Sequence, residues 1–248
     1  MPTISERTAL FRQLHADGLL LLANAWDAGT ARLIESLGAS ACATTSAGLA
    51  WAQGYADGDH LPVSRLFDSV ATIARVLHTP LTIDIEGGYS DDPDTVADTV
   101  LRLVQQGVSG INLEDGGSDP GLLCDKIARI RARCREAGVD VFINARTDVY
   151  LRRLAPAGAD SVRETLERAA RYRQAGADGL FVPGAVEENE IAAIADAAQL
   201  PLNLLWRAAL PDRARLLRLG VRRLSAGSAL AESVAGHLLK PDSVFAFL

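Results

Sequence analysis

The chain has 248 residues, with 31 acidic against 25 basic side chains and a net charge of −6, so it offers no basic footprint for a nucleic-acid backbone. Hydrophobic residues make up 48% of it, yet no aliphatic run reaches the roughly 18 residues needed to cross a bilayer, and a large buried core with no membrane span is expected. Cys42, Cys124 and Cys134 cannot all pair and lack close metal-ligand spacing, and the N-terminal stretch with Glu6, Arg7 and Arg12 has no signal-peptide pattern, so a cytoplasmic protein without disulfides is expected.

One junction recurs along the chain: an amphipathic helix, a glycine, then a short apolar strand. In chain order, strands are predicted at Leu19–Asn24 after Gly18, at Ala39–Thr45 after Gly38, and at Leu81–Glu86 after Pro80. They continue at Gly110–Glu114 after Gly107, Val139–Arg146 after Gly138, and Gly179–Pro183 after Gly176. The last two are Leu202–Trp206 after Pro201 and Val221–Ser225 after Gly220. Each junction glycine suits a left-handed helix C-cap. Leu19–Leu22 and Val141–Ile143 are continuously apolar, as in parallel strands buried on both faces. Eight such units without a dividing linker predict one (β/α)8 TIM-type barrel over residues 1–248, with its active site at the C-terminal rim of the strands. An open doubly wound sheet is disfavoured, because Asn24-Ala25-Trp26-Asp27 stands where a Gly-rich dinucleotide turn would follow the first strand.

The strand ends are acidic. By the alternation of strand side chains, Asp84 and Glu86 are expected to point the same way, and such a pair needs a cation, an arginine or a shared proton. The next strand adds Asn112, Glu114 and Asp115, and the one after it Asn144 and Arg146. Hard oxygen donors without a histidine cluster favour Mg2+, or Mn2+, over zinc. The alternative is a structural ion-pair ring around Arg146, but acids from several strand ends favour function. Thr44-Thr45-Ser46-Ala47-Gly48 reads either as a small-residue turn whose N–H groups hold a carboxylate or as a tight turn only. Ser225 to Ser228 reads best as a helix cap, and Cys42 as core. Asn203 and Trp206 are candidates for lining the pocket, with a buried, hydrogen-bonded role equally open to Asn203. Neither Lys126 nor Lys240 ends a strand, which leaves a Schiff-base aldolase without a nucleophile. His15, His60, His78 and His237 fall on helices or a loop, which disfavours a histidine-based metallohydrolase.

Over nearly its whole length the chain resembles the isocitrate lyase and phosphoenolpyruvate mutase superfamily. The landmarks are Asn24-Ala25-Trp26-Asp27, Thr45-Ser46-Ala47-Gly48, Asp57, Asp84-Ile85-Glu86-Gly87-Gly88-Tyr89, Leu113-Glu114-Asp115 and Asn144-Ala145-Arg146-Thr147-Asp148. The resemblance implies that Asp84, Glu86 and Glu114 surround Mg2+, partly through water, and that Ser46, Ala47 and Gly48 bind substrate carboxylate. It further implies that Arg146 faces the substrate. Asp57 is a candidate for positioning substrate or moving a proton, and Trp26, with Asn203, is a candidate for binding it. Two features depart from the family. Glu86 stands where many members have aspartate, and the long lyase loop with its Lys-Lys/Arg-Cys-Gly-His motif is replaced by Gly116-Gly117-Ser118-Asp119-Pro120. Cys124 falls inside the following helix and does not match the motif. Tyr55, His60 and Tyr89 are the alternative proton donors, though each reads more readily as loop packing. In relatives the last helix packs on another subunit, and the apolar Val244-Phe245-Ala246-Phe247-Leu248 calls for a docking partner, so a homo-oligomer, dimer or tetramer, is expected.

The expected activity is that of a Mg2+-dependent lyase or decarboxylase, cleaving a carbon-carbon bond of a small 2-oxo or 2-hydroxy (di)carboxylate through an enolate. The alternatives are carbon-phosphorus chemistry, as in phosphonopyruvate hydrolysis or the phosphoenolpyruvate mutase reaction, and an inactive oxo-acid binding protein.

Overall fold

The computed structural model describes residues 3–238. It opens on α1 (Ile4–Ala16), whose start is fixed by a capping box: the Thr3 hydroxyl accepts from Glu6 N–H and the Glu6 carboxylate accepts from Thr3 N–H at 2.7 Å. This helix closes the N-terminal end of the barrel. Phe11 is fully buried with its ring edge-on to Phe142, centroids 5.4 Å apart, and His15 stacks on Phe142 at 4.1 Å.

The strands are β1 (Leu20–Leu22), β2 (Asn24–Ala25), β3 (Cys42–Thr44), β4 (Leu81–Asp84), β5 (Gly110–Glu114), β6 (Phe142–Arg146), β7 (Gly179–Phe181), β8 (Leu202–Leu205) and β9 (Val221–Ser225). All pairings are parallel, in the order β1-β9-β8-β7-β6-β5-β4-β3-β2. The first predicted strand is split at Ala23. Its first half pairs with β9, Leu22 opposite Ser225, and its second half with β3, Ala25 opposite Thr44. One strand thus joins both ends of the sheet, giving the expected TIM-type fold as a nearly closed barrel. The helices that follow are α2 (Ala28–Ser36), α3 (Ser46–Trp51), α4 (Val63–Val76), α5 (Pro93–Gln105), α6 (Pro120–Glu136), α7 (Ala159–Ala175), α8 (Glu188–Ala197), α9 (Arg213–Arg218) and α10 (Ala229–Leu238). All six junction glycines take positive φ, from 68° at Gly138 to 112° at Gly176, as left-handed caps require. Among the described residues no helix is long and apolar enough to cross a membrane.

The core has two parts. Outward faces of the strands, such as Ile83, Ile111, Ile143, Leu180 and Leu204, are sealed by the helices. Inside the barrel, Leu20, Leu22, Ala41, Ala43, Phe142 and Phe11 form an apolar floor. Above it lies a buried polar layer of Asn112, Asn144, Asn203, Arg223 and Ser225. One expectation fails at the seam: Leu21 is 44% exposed although Leu19–Leu22 reads as buried on both faces. Strand alternation turns Leu21 outward between the buried Leu20 and Leu22. Lys240 and the apolar segment Val244–Leu248 lie outside the described residues.

Candidate active site

The acid pair is built at the end of β4. The strand stops at Asp84, and Glu86 has φ 51°, so strand alternation does not bring the two carboxylates together as expected. In the left-handed turn Glu86 N–H donates to Asp84 Oδ1 at 3.1 Å, and the Asp84 charge is near enough to raise the Glu86 carboxyl. The nearly buried Glu86 carboxylate accepts Asp59 N–H on Oε2 and the Tyr89 hydroxyl on Oε1 at 3.2 Å. Among the described residues no lysine or arginine is ion-paired with Asp84 or Glu86. Burial therefore raises the Asp84 carboxyl. Burial, reinforced by the charges of Asp59, Asp57 and Asp84, pushes Glu86 up to about 7.

Glu114 and Arg146 end β5 and β6 directly opposite each other in register, and their side chains pair at 2.5 Å. Burial raises Glu114 while the Arg146 guanidinium opposes it. Arg146 is also gripped by the fully buried Asp148, Nε to Oδ1 at 2.7 Å and Nη2 to Oδ2 at 3.1 Å. Against the cost of burial, Glu114, Asp148 and Asp84 keep it protonated. Asp148 N–H donates in turn to Asp115 Oδ1 at 3.0 Å. Asp115 accepts Arg168 Nη1 at 2.8 Å and the Tyr172 hydroxyl at 2.7 Å, so this strand-end acid ties the rim to α7 and does not face the mouth.

The small-residue segment after β3 is the first turn of α3 and not a free turn. Thr45 caps it, its hydroxyl accepting Gly48 N–H at 3.5 Å, which leaves the Ser46 and Ala47 amides as the unengaged donors of the helix start. The neighbouring Thr44 hydroxyl accepts Asp84 N–H at 3.1 Å, fixing this turn beside the acids. Trp26 packs so closely on the turn that a Cβ at Gly48 would lie 2.9 Å from the Trp26 Cβ and 2.6 Å from Thr45 Cγ2. Asp57 is exposed on the loop between α3 and α4, near enough for its charge to raise Asp84 and Glu86.

Asn203 does not reach the mouth. It is fully buried in the polar layer below, accepting from Ser225 Oγ at 3.3 Å. Asn112 and Asn144 also lie at that level, Asn144 Nδ2 donating to Asn112 Oδ1 at 2.9 Å. Arg223 Nη2 donates to the same oxygen at 3.1 Å. Burial lowers the Arg223 guanidinium to about 9. Trp206 is 49% exposed. Cys124 sits within α6, as expected, and the connection from β5 to α6 is only residues 115–119.

Glu114 is turned onto Arg146, and among the described residues no three histidine, cysteine or acidic side chains form a ready ligand cage. The expected convergence of Asp84, Glu86 and Glu114 is thus looser than a three-carboxylate cage. The donor set still fits Mg2+, which keeps several waters and takes one or two carboxylates. A cavity of about 370 Å³ opens beside these acids, between Asp59, Glu86, Glu114, Asp119, Lys126 and Arg152.

Asp59, Lys126, Asp148 and Arg223 receive no role in the site from the sequence. Asp148, two residues after Arg146, carries a local signal; the other three reach the site from a loop, a helix face and a buried layer that residue spacing does not mark.

Residues 11–241 match the family model described as phosphoenolpyruvate phosphomutase. An uncharacterized protein of Mycobacterium tuberculosis is 39% identical over 223 residues, covering 88% of this chain and 81% of its own. An oxaloacetate decarboxylase of Pseudomonas entomophila is 31% identical over 235 residues, covering 88% and 78%. A crystal structure from Burkholderia cenocepacia J2315 superposes with TM-score 0.87 at 39% identity, covering 94% of this chain and 97% of that one. Oxaloacetate acetylhydrolase bound to oxalate superposes with TM-score 0.82 at 25% identity, covering 98% and 88%. With its barrel, its acid turn after β4 and this match along almost all its length, the chain belongs to the phosphoenolpyruvate phosphomutase family, within the phosphoenolpyruvate mutase and isocitrate lyase superfamily.

Proposed function

We propose that this protein is a Mg2+-dependent lyase or decarboxylase that cleaves a carbon-carbon bond of a small 2-oxo or 2-hydroxy (di)carboxylate through an enolate. The observation that carries the reading is the Asp84 and Glu86 pair, which lacks a lysine or arginine partner among the described residues and stands beside Arg146 at the barrel mouth. Two acids so placed call for a cation, and hard oxygen donors favour Mg2+, with Mn2+ as a substitute. In this reading Asp84 and Glu86 hold the ion directly or through water, and Glu114, engaged by Arg146, acts through water. When bound, the metal supplies Lewis-acid polarisation of the substrate's C2 oxygen.

Arg146, fixed by Glu114 and Asp148 with N–H groups to spare, receives the negative charge that builds on the substrate. Ser46 and Ala47 supply the amides that take a substrate carboxylate, Gly48 lets Trp26 close on the turn, and Asp57 stands on the rim to position substrate or move a proton. For oxaloacetate, the C3–C4 bond breaks, carbon dioxide leaves, and the electron pair passes toward the C2 oxygen as an enolate that takes a proton at C3. The similarity to oxaloacetate decarboxylases and to oxaloacetate acetylhydrolase supports this substrate class. The match to a phosphomutase family model supports carbon-phosphorus chemistry as the second reading.

Incubation with Mg2+ and, separately, oxaloacetate, phosphonopyruvate and substituted malates distinguishes them. Pyruvate and carbon dioxide from oxaloacetate are expected. Phosphate from phosphonopyruvate with oxaloacetate untouched would move the assignment to the second reading, and binding without turnover on any of them would mean an oxo-acid binding protein.

A further inference from the structure

Lys126 is the only lysine among the described residues. It stands on α6 with its side chain 6% exposed, and its Nζ donates to the Gly87 carbonyl at 2.8 Å. The nearest carboxylate, Asp91, is 3.7 Å away on a side chain that is 95% exposed. A buried ammonium is costly unless it is hydrogen-bonded, and here its short contact is a backbone oxygen, that of the residue after Glu86.

The other side of the same glycine meets Asp59. A Cβ at Gly87 would lie 3.0 Å from Asp59 Oδ2, and the Asp59 carboxylate accepts the backbone N–H of Tyr89 at 3.2 Å. Asp59 N–H in turn donates to the Glu86 carboxylate. Asp59, Glu86 and Tyr89 have φ of 59°, 51° and 59°. The left-handed region is disfavoured for residues with a Cβ and persists only where the surroundings over-determine it. An anion on the Tyr89 N–H and a cation on the Gly87 carbonyl provide that constraint.

We propose that Lys126 is a positioning residue for Glu86: with Asp59 it clamps the turn from Glu86 to Tyr89, and the clamp sets the direction in which the Glu86 carboxylate faces. Lys126 Nζ touches a backbone carbonyl and takes no part in bond breaking. The inference rests on the reading of Glu86 as a metal-site residue, and the experiment separates the two.

Mn2+ alone, without substrate, is titrated into the full chain and followed by electron paramagnetic resonance, on samples shown to be folded by circular dichroism. Wild type is compared with Lys126→Met, Asp59→Asn and the double variant. Each single change is expected to weaken Mn2+ binding about tenfold, as loss of a group that orients a ligand does. The double variant is expected to be little weaker than either single one, because both break one clamp. Should Lys126→Met fail to fold, Lys126→Gln carries the same comparison. Wild-type affinity in the folded Lys126 variant, or independent effects that multiply in the double variant, overturns the proposal. Absence of Mn2+ binding by wild type removes the metal reading itself, and the clamp's role with it.

Discussion

Glu86 shows how a single side chain links backbone conformation to chemistry. Its left-handed turn brings it against Asp84, and burial with its acidic neighbours pushes its carboxyl up to about 7. At neutral pH the metal-free site is therefore partly protonated, and a proton competes with the ion. Mn2+ affinity is expected to fall about tenfold per pH unit as pH drops below about 7, as checked by titrations at several pH values; a flat profile from mildly acidic to mildly basic pH contradicts this. The same shift acts on stability. Because the folded-state value lies above the ordinary 4.5, this group's contribution is fully present below 4.5 and is lost as pH rises toward 7. Metal-free protein should lose thermal stability across that window, and added Mg2+ should restore it at the upper end.

At the scale of elements, the eight junctions were legible because a glycine or proline marks each strand entry, and β5 and β9 begin and end where the apolar pattern does. Strand exits were harder to place. The acids after β4 read as alternating strand residues, while the chain has already turned at Glu86, because tertiary bonds from Asp59 and Lys126 decide that conformation and leave no periodic trace. For Asn203 the sequence leaves a pocket-lining and a buried, hydrogen-bonded role equally open, and only the barrel's cross-section, which places it in the buried layer, decides between them. Asp84, Glu114 and Arg146 could be read together from the sequence because they end three adjoining strands, Asp84 opposite Asn112 and Glu114 opposite Arg146 in register.

The short connection between β5 and α6 has a functional consequence. Cys124 is fixed inside α6, and the residues before it are too few to form a closing loop that carries a thiol. A positioned proton donor contributes about 10²- to 10⁴-fold, so methylisocitrate cleavage is expected to be weaker than oxaloacetate turnover by about that factor. Kinetics on both substrates in wild type and Cys124→Ser check this; efficient methylisocitrate cleavage lost in the serine variant would contradict it.

For the whole molecule, three of the exposed large apolar side chains among the described residues stand on the two elements at the seam of the barrel. They are Leu21 at 44%, Leu230 at 39% and Val234 at 48% exposure, on β1 and α10, and a contact between copies of the chain would cover them. A homo-oligomer, dimer or tetramer, is expected by light scattering at micromolar concentration, and a monomer there contradicts it.

The central claim is that the acids at the end of β4 serve a divalent ion in carbon-carbon bond cleavage. Its most direct measurement is pyruvate release from oxaloacetate with Mg2+, with excess EDTA, and by Asp84→Ala with Mg2+. Turnover that needs Mg2+, and falls by at least about 10²-fold on chelation or in the variant, is the predicted result; undiminished turnover in excess EDTA or in Asp84→Ala would contradict it.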